Sequence, residues 1–387
     1  MSFWLDGWSL QEKETQMLQA VELAKQAWGQ TAPNPCVGAL LLQEGRVLAQ
    51  GWHKGPGMPH AEVEALQQAA LQPEFRPEKC ALFVTLEPCN HYGRTPPCTQ
   101  AILQYGIKQV IVGCRDPNPG VQGQGAQHLQ ARGVRVQTGI AVQACQDLIA
   151  DFVLWQQEKR PFVLLKLAST LDGRIGLKGG RPVRISGEKA REEVHILRSR
   201  VQAVLVGKNT FYQDNPSLDC RLGDQGQQAQ PLAVVISRSL PEIGAGYRLL
   251  ENRPQQTIFL TDEQAVASAR AEELRGLGVR IWGLDRQGSA LDVRPGLQRL
   301  FTELGCYYLL CEGGGRLGLE LMQKALADEL HLILAPKVLG DEEAVPVLSG
   351  RRIQDMQQCL RWRFVRQKAL DQDLGLCLRP AGDRHAD

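Results

Sequence analysis

The sequence lacks any apolar run long enough to cross a membrane. Its longest such runs, Val37 to Leu42 and Phe162 to Leu165, are far shorter than the roughly 20 residues that a transmembrane helix needs. The first residues also lack a basic segment followed by a hydrophobic stretch, so no signal peptide is expected. We therefore expect a soluble protein that acts in the cytoplasm and has no membrane partner.

The chain also lacks a charge excess of either sign. Lys and Arg number 44 against 42 Asp and Glu, which gives a formal net charge of +2. Without a basic surface there is no general field to attract nucleic acid, so no nucleic-acid partner is expected. The eleven cysteines are an odd number spread through a long chain, which indicates reduced thiols rather than a disulfide scaffold.

The length of 387 residues exceeds what one hydrophobic core usually organises, about 250–300 residues. Strand and helix patterns alternate from a hairpin over 37–52 to a helix over 142–157, which is typical of a layered α/β domain with a mostly parallel sheet. The polar segment 158–161 ends in a proline and marks a boundary, after which the pattern restarts. We predict two α/β domains, residues 1–157 and 158–387.

Four residues of the first half indicate a metal site. His60 and Glu62 open a predicted helix, Cys89 follows a predicted strand, and Cys98 begins the next helix. One imidazole and two thiolates give three ligands, the number that a catalytic zinc ion uses when it keeps one position open for water. Glu62 is two residues after His60, so it does not lie on the same side of the predicted helix. It could approach a metal-bound water from another direction and act as a proton shuttle. His-x-Glu followed by Pro-Cys and a second Cys is typical of zinc nucleobase deaminases, although there two residues, not eight, separate the cysteines.

A glycine-rich run in the second half indicates a phosphate-rich cofactor. Gly313 to Gly318 follows a predicted strand and leads into a helix, so its backbone can approach a pyrophosphate at the helix N-terminus. The run formally matches the Rossmann pattern, with Asp341 as a later acidic residue, but too little chain follows it for a second βαβ half. A tight strand-to-helix turn without a ligand is the alternative.

The segments Asn34–Gly38, Gly51–His53, Cys89–Cys98 and Asp116–Pro119 closely resemble the bifunctional deaminase/reductase family of riboflavin biosynthesis. The likeness covers essentially the whole chain. It implies an N-terminal cytidine-deaminase-like α/β/α layered domain. There, Zn²⁺ would be held by His60, Cys89 and Cys98, with Glu62 as the catalytic residue. The resemblance assigns four polar residues to the substrate pocket, each of which could equally be a loop cap: Asn34, His53, Asp116 and Asn118.

The segments 166–174, 194–198, 206–210 and 335–340 resemble the reductase domain of the same family, which implies a dihydrofolate-reductase-like α/β fold and NADPH as cofactor. The residues that the resemblance assigns to the cofactor are Ala168, Arg184, Thr210, Asp214, Ser237, Gly314, Gly315, Arg316, Leu317, Gly318, Leu319 and Glu320. Those assigned to the substrate are Pro182, Arg198, Leu218, Arg221 and Glu312. Arg184 and Pro182 stand where many members carry a tryptophan and a serine.

Paired arginines suit a ribose 5-phosphate, because they can grip it with charged hydrogen bonds. Solvated surface charges are the alternative for Arg198 and Arg221. Lys166 and Asp214 are the titratable candidates near the reduction. The polar residues expected around the ribose 2′ position include no carboxylate, so we predict that NADPH is preferred over NADH. These residues are Lys208, Asn209, Thr210 and Ser237.

The resemblance implies two successive reactions on one small-molecule substrate. The first is hydrolytic deamination of 2,5-diamino-6-(5-phosphoribosylamino)pyrimidin-4-one. The second is NADPH-dependent reduction of the ribosylamino side chain to give 5-amino-6-(5-phosphoribitylamino)uracil, and a homo-oligomer is expected. One alternative is a nucleic-acid base deaminase fused to an unrelated reductase-like domain, which the balanced charge disfavours. The other is a zinc-stapled nucleotide sensor, which the open fourth ligand position and Glu62 disfavour.

Overall fold

The computed structural model describes residues 4–93, 95–117, 124–179, 184–222, 230–288 and 290–382. Two of the predicted substrate residues, Asn118 and Pro182, lie outside the described residues. The chain divides into two units, Met1–Glu158 and Lys159–Asp387. This division lies one residue from the boundary that the sequence predicts.

The N-terminal unit alternates strands and helices. Its strands are β1 (Gly38–Gln43), β2 (Arg46–Trp52), β3 (Cys80–Leu86), β4 (Gln109–Cys114) and β5 (Arg135–Thr138). Its α-helices are α1 (Leu10–Ala24), α2 (Ala61–Ala70), α3 (Cys98–Gln104), α4 (Gln124–Ala131), α5 (Val142–Leu148) and α6 (Ala150–Glu158). Helix α1 begins with the capping box that the spacing of Ser9 and Glu12 predicts, since each side chain accepts the other residue's backbone N–H.

The five strands of this unit form one sheet in the order β2-β1-β3-β4-β5. Strand β1 is antiparallel to both β2 and β3, whereas β3, β4 and β5 are parallel. The sheet is therefore mixed, because the predicted hairpin is added to one edge of a parallel core. The alternation of strands and helices predicted a mostly parallel sheet, and the pairing of β1 with its two neighbours departs from that prediction.

Helices cover both faces of this sheet. Helices α2, α3 and α4 pack on one face through Leu66, Ile102 and Leu129. Helices α1 and α5 pack on the other face through Met17 and Cys145. The unit is thus an α/β/α sandwich, and the carboxyl end of β3 meets the N-terminal ends of α2 and α3.

The predicted single helix over 142–157 is two helices in the structure. Ile149, between α5 and α6, leaves helical geometry with φ of −108° and ψ of 10°. Its side chain is buried in the core beneath α1 and the sheet. Tertiary packing of Ile149 therefore breaks a segment whose apolar periodicity favours one continuous helix.

The C-terminal unit contains a second, larger sheet. Its strands are β6 (Phe162–Thr170), β7 (Arg174–Gly176), β8 (Ala203–Gly207), β9 (Leu232–Ile236), β10 (Thr257–Asp262), β11 (Arg280–Leu284), β12 (Arg286–Gln287), β13 (Ala290–Leu291), β14 (Tyr308–Cys311), β15 (Glu329–Ala335), β16 (Val345–Pro346), β17 (Trp362–Leu370) and β18 (Asp373–Pro380). Its α-helices are α7 (Glu188–Ser199), α8 (Lys208–Asp214), α9 (Arg248–Asn252), α10 (Glu263–Val266), α11 (Ala269–Gly276), α12 (Val293–Leu304) and α13 (Gly315–Gln323).

Nine of these strands form the main sheet, in the order β11-β10-β9-β8-β14-β6-β15-β18-β17. The seven strands from β11 to β15 in this order are parallel, and β18 and β17 complete the edge with antiparallel pairings. Strand β6 lies between β14 and β15, although it comes first in the sequence. The carboxyl ends of the parallel strands therefore meet at one edge, where ligands bind in open α/β sheets.

Arg160 belongs to the segment that the sequence predicts to be a polar boundary, yet its side chain is completely buried in the C-terminal unit. Its guanidinium donates to the two carboxylate oxygens of Asp328 at 2.7 and 2.9 Å. Asp328 also accepts from the Val163 N–H at 2.8 Å. This ion pair holds the start of β6 against the chain that enters β15, so Arg160 is a core residue and not part of a solvated linker.

All eleven cysteines are free thiols, as their number and distribution predict. None of the helices in the part of the chain that the structure describes is both long and apolar enough to cross a membrane. Most of the cysteines are buried, which places them among the small apolar residues of the two cores.

Candidate active sites

Three potential metal ligands converge where β3, α2 and α3 meet. His60 is the N-cap residue of α2, Cys89 lies three residues after β3, and Cys98 is the first residue of α3. The His60 Nδ1 atom lies 3.1 Å from the Cys98 Sγ and 3.6 Å from the Cys89 Sγ. The three ligand atoms all lie within 4.8 Å of one another. The structure thus brings together the residues that the sequence predicts as zinc ligands.

The donor chemistry of this cluster fits zinc. An imidazole and two thiols are donors that zinc prefers, and three of them leave a fourth tetrahedral position for water. The His60 Nε2 atom lies 3.4 Å from the Thr95 hydroxyl oxygen, so Nε2 can carry the ring proton and leave Nδ1 free for a metal. A hydrogen bond from the Cys98 thiol lowers the pKa of Cys89, against the opposing effect of burial, and so favours the thiolate that binds zinc.

Glu62 lies in the first turn of α2, two residues after His60, and its side chain is buried. Burial raises the pKa of its carboxyl group, and the nearby His60 opposes this rise. The carboxyl group also interacts with the Cys98 thiol. Glu62 is therefore close to the ligand cluster, and its role as a proton shuttle stays a prediction.

Asn34 and His53 form a hydrogen-bonded pair beside His60. The His53 Nδ1 atom lies 3.2 Å from the Pro59 carbonyl oxygen, which can only accept, so Nδ1 carries the proton. The His53 Nε2 atom then accepts from the Asn34 side-chain amide at 3.0 Å. Burial lowers the pKa of His53, and its ring lies edge-on to His60 with centroids 5.4 Å apart. His53 is thus a neutral, fixed ring that orients Asn34 next to the predicted zinc ligands.

Glu87 is not among the predicted site residues, yet it organises the chain around Asp116. Its buried carboxylate accepts from the Ala126 N–H, in the first turn of α4, at 2.9 Å and from the Asp116 N–H at 3.4 Å. A Cβ on Gly125 would lie 1.9 Å from the Pro88 carbonyl oxygen, so α4 packs directly on the chain after β3. An acidic residue at the carboxyl end of an otherwise apolar buried strand is the signal that could have identified Glu87.

Four of the predicted cofactor residues lie near the carboxyl ends of parallel strands in the main sheet of the C-terminal unit. Ala168 is near the end of β6, Thr210 and Asp214 lie in α8 directly after β8, and Ser237 follows β9. Ser237 is buried, and its hydroxyl donates to the Ser239 carbonyl oxygen at 2.6 Å. Strands β9 and β8 are adjacent and β14 lies between β8 and β6, so the topology places these residues along the same edge of one parallel sheet.

Close backbone packing accounts for one glycine of the predicted pyrophosphate loop. A Cβ on Gly315, the first residue of α13, would lie 2.1 Å from the Val347 carbonyl oxygen. Gly314 and Arg316 are exposed, whereas Leu317 is buried in the main core. Leu317 can therefore reach a cofactor only through its backbone N–H, which is among the orphan donors of the first helical turn. The buried Gly318 and Leu319 lie beyond the first four N–H groups of the helix, and the Gly318 N–H donates to the Gly314 carbonyl oxygen at 3.1 Å. The predicted cofactor contacts of these two residues stay predictions.

Two other predicted cofactor residues have partners within the protein. Glu320 forms an ion pair with Lys324, one turn later on α13, at 2.9 Å. Arg184 is exposed, and its carbonyl oxygen lies 3.5 Å from the Lys337 Nζ atom. Among the described residues no ion pair involves the Arg184 guanidinium, and its contact with NADPH stays a prediction.

Arg198 and Glu312 form a bidentate ion pair at the carboxyl end of β14. The Arg198 Nε and Nη2 atoms lie 2.6 and 2.9 Å from the two Glu312 oxygens, and Nη1 donates to the Asp219 carbonyl oxygen at 2.8 Å. Burial opposes ionisation of Glu312, but Arg198 and then Lys166 outweigh it and lower the pKa of Glu312. Three of the five N–H donors of Arg198 are therefore already bound within the protein.

The loop that carries Leu218 and Arg221 has a constrained backbone. Leu218 is buried and has φ of 50°, in the left-handed region that residues other than glycine rarely adopt. Arg253 donates to the Ser217 carbonyl oxygen at 2.8 Å, next to this position. Such a conformation persists where the surroundings fix it, and it is common at functional sites. The Arg221 side chain is 65% exposed at the end of the loop.

A second cluster of potential ligands, Glu329, His331 and Cys377, lies on the adjacent strands β15 and β18. Arg379 donates to one Glu329 oxygen at 2.8 and 2.9 Å, and the His331 Nε2 atom lies 2.7 Å from the other. Both oxygens of the carboxylate are thus already paired, and the Arg379 charge repels a divalent cation. We interpret this cluster as a buried ion-pair network that joins the two strands.

Two family models match the chain. The "RibD C-terminal domain" matches residues 161–376. The "Cytidine and deoxycytidylate deaminase zinc-binding region" matches residues 10–114, which include His60, Glu62, Cys89 and Cys98. The first match covers most of the C-terminal unit, and the second covers most of the N-terminal one.

Similar proteins match over nearly the full length. Riboflavin biosynthesis protein RibD of Aquifex aeolicus is 35% identical over 358 residues, which are 92% of this chain and 96% of that protein. RibD of a Synechocystis species is 37% identical over 361 residues, which are 93% of this chain and 94% of that protein.

Two solved structures agree with this match. RibD of Acinetobacter baumannii, form 1, has a TM-score of 0.74 at 34% identity and covers 97% of this chain and 100% of its own. The diaminohydroxyphosphoribosylaminopyrimidine deaminase/5-amino-6-(5-phosphoribosylamino)uracil reductase of Thermotoga maritima has the same TM-score at 34% identity, with coverage of 96% and 99%.

These matches assign the folds as the resemblance implied. The N-terminal unit is cytidine-deaminase-like, and the C-terminal unit is a RibD reductase domain with a dihydrofolate-reductase-like fold. The chain belongs to the RibD family, the bifunctional enzymes of riboflavin biosynthesis that join a zinc-binding deaminase domain to an NADPH-using reductase domain.

Proposed function

We propose that the chain catalyses two successive reactions on one phosphorylated pyrimidine. The first deaminates 2,5-diamino-6-(5-phosphoribosylamino)pyrimidin-4-one, and the second reduces the resulting uracil derivative to 5-amino-6-(5-phosphoribitylamino)uracil. The relative from Thermotoga maritima carries both activities in its name. The observation that carries the proposal is the convergence of His60, Cys89 and Cys98 beside the buried Glu62.

The N-terminal unit would perform the deamination. His60 Nδ1 and the two thiolates would hold Zn²⁺, which when bound lowers the pKa of a coordinated water to about 7 and makes hydroxide available. Glu62 is placed to accept a proton at its carboxylate and to return it to the departing amine. Asn34, oriented by His53 at 3.0 Å, would offer its side-chain amide to the edge of the heterocycle.

The C-terminal unit would perform the reduction with NADPH, which supplies a hydride when bound. The backbone N–H groups at the start of α13 would bind the pyrophosphate of the cofactor. Glu312 directly follows β14, Lys166 lies in the middle of the adjacent strand β6, and each acts on the pKa of the other, while Arg198 fixes Glu312. We assign these residues to the ribosylamino part of the substrate, and Arg221 to its 5-phosphate.

Ammonia release from the diaminopyrimidine phosphate, measured with and without NADPH, tests this proposal. We expect release without NADPH, and NADPH oxidation when the deaminated compound is supplied. Glu62→Gln should keep its zinc and lose ammonia release, because an amide cannot carry the proton. The same variant should oxidise NADPH normally with the deaminated compound, which controls for general damage. Ammonia release by Glu62→Gln at a rate near that of the wild type would contradict the assigned role.

We also propose that the enzyme acts in the cytoplasm, as a homo-oligomer and without nucleic acid. The eleven free thiols support a reducing compartment, and the net charge of +2 supports the absence of a nucleic-acid partner. Strand β17, at the edge of the main sheet, carries the exposed Phe364, which supports contact between copies of the chain. Light scattering of the purified protein tests the oligomer, and a monomer at all concentrations would exclude it.

A further inference from the structure

His195 joins helix α7 to the loop that carries Arg221. Its Nδ1 atom accepts from the Arg221 backbone N–H at 3.1 Å. Its own carbonyl oxygen accepts from the Cys220 thiol at 3.4 Å. Because a backbone N–H can only donate, Nδ1 is unprotonated and the ring proton lies on Nε2. His195 therefore contacts two consecutive residues of the loop. It binds the Cys220 thiol through its carbonyl oxygen and the Arg221 main-chain N–H through its ring.

Other side chains fix the same loop through its main chain. The Gln230 Oε1 atom accepts from the Cys220 N–H at 2.8 Å, and its Nε2 donates to the Cys220 carbonyl at 3.1 Å. Arg198 holds the Asp219 carbonyl from the other side at 2.8 Å. These contacts define the path of the loop up to Cys220, and the bond to His195 defines it at Arg221.

Positive charge is in excess around this loop. Asp219 lies close enough to Arg198 and Arg253 to act on the pKa of each, and its Oδ1 atom is 3.4 Å from the Arg221 Nε. Glu312 balances the charge of Arg198. Among the described residues, two carboxylates thus face three guanidinium groups and the neighbouring Lys166, so positive charge is available to bind a phosphate.

We propose that His195 is a positioning residue for the substrate phosphate, because its bond to the Arg221 N–H holds the loop where the Arg221 guanidinium meets that phosphate. This inference rests on the proposed function of the C-terminal unit. His195 itself touches neither the substrate nor the cofactor, and it acts through Arg221.

The surroundings keep His195 in the form that can accept this bond. Burial lowers the pKa of His195, the positive charges of Arg198 and Arg221 lower it further, and Asp219 and Glu312 oppose them. The ring is therefore neutral at pH 7. A neutral ring with an unprotonated Nδ1 is the species that the geometry requires.

Two substitutions of His195 separate a positioning role from a merely structural one. His195→Leu removes the acceptor, whereas His195→Asn keeps one, since the Asn side-chain oxygen can take the place of Nδ1. We expect His195→Leu to raise KM for the deaminated, phosphorylated substrate by about five- to tenfold, the range that one hydrogen bond supports. Its kcat and its KM for NADPH should stay unchanged, which shows that the unit is folded. His195→Asn should behave like the wild type.

A double-mutant cycle with Arg221→Ala tests whether the effect passes through Arg221. Arg221→Ala should raise KM for the phosphorylated substrate. The double variant His195→Leu/Arg221→Ala should have the same KM as Arg221→Ala alone. With a substrate that lacks the 5-phosphate, all variants should match the wild type. If Arg221→Ala leaves KM unchanged, the proposed phosphate contact and this inference are both wrong. If Arg221→Ala raises KM but His195→Leu does not, or if their effects add, the proposed function stands and the role of His195 is wrong.

Discussion

Replacement of Asp328 by alanine should destabilise the C-terminal unit more than loss of a surface ion pair would. Asp328 accepts two hydrogen bonds from Arg160, at 2.7 and 2.9 Å, and one from the Val163 N–H at 2.8 Å. Arg160 is 0% exposed, so its guanidinium would lose the carboxylate that accepts both of these hydrogen bonds at a place that bulk water does not reach. Removal of one partner of such a buried pair costs about 3–5 kcal/mol, whereas an exposed pair contributes about 0–1 kcal/mol.

This free energy corresponds to a measurable shift in denaturant. The free energy of unfolding falls by about 1–3 kcal/mol per molar urea. This slope increases with the surface exposed on unfolding, so we expect a value near the upper end for a unit of this size. We therefore expect Asp328→Ala to lower the urea midpoint of the C-terminal unit by about 1–2 M. The two activities report on the units separately, NADPH oxidation on the C-terminal unit and ammonia release on the N-terminal unit.

We expect Asp328→Ala to lose NADPH oxidation at a lower urea concentration than the wild type does. The urea midpoint for ammonia release should be unchanged. Glu343→Ala is the matched control, because Glu343 pairs with Lys178 at 2.7 Å while both side chains are exposed, and it should shift neither midpoint appreciably. Arg160→Met combined with Asp328→Leu should recover most of the loss, since neither charge of this pair is then buried. If Asp328→Ala does not change the urea midpoint for NADPH oxidation, the reasoning is refuted.

Four further outcomes are expected. Cys89→Ala should lose zinc by metal analysis of the purified protein and keep NADPH oxidation, and a full zinc content would exclude Cys89 as a ligand. Residues 1–158 expressed alone should stay folded and release ammonia without NADPH, because they contain their own sheet and two cores; a fragment that is always unfolded would show dependence on the other unit. The kcat/KM for NADPH should exceed that for NADH with the deaminated substrate saturating, and equal values would contradict the polar residues placed around the 2′-phosphate. The lowered pKa of Glu312 should give stability that is fully present above about pH 4.3 and is lost as the pH falls through the lower folded-state pKa. Urea unfolding of the C-terminal unit followed from pH 7 to pH 3 should therefore show a weaker acid dependence in Glu312→Gln, and identical profiles would count against this linkage.

The sequence is sufficient to predict features that are encoded locally. The zinc cluster is predictable because a His, two Cys and a Glu stand at the ends of periodic segments, and the ends of such segments meet in an α/β fold. The capping box at Ser9 is predictable because its two partners are three residues apart. The hairpin β1–β2 is predictable because Glu44 and Gly45 form a tight turn between two apolar runs, and both adopt positive φ.

Features that depend on distant partners could not be predicted from local patterns. The polar neighbours of Arg160 in the sequence indicate a solvated side chain, because its partner Asp328 is 168 positions away and no local pattern shows it. The left-handed backbone of Leu218 and the bond of His195 to Arg221 involve main-chain atoms, which residue identity does not reveal.

The strand order of the C-terminal unit has a consequence for how the chain folds as it is synthesised. Strand β6 leaves the ribosome first, but its neighbours β14 and β15 are completed at Cys311 and Ala335. At about 5–20 residues per second, β6 waits roughly 8–30 s for its second partner. Until β14 is completed at Cys311, the apolar run from Phe162 to Leu165 has no native strand beside it, whereas the N-terminal sheet is already complete. We therefore expect the nascent C-terminal unit to be more prone to aggregation than the N-terminal one, with its first strand as the segment that stays unpaired longest.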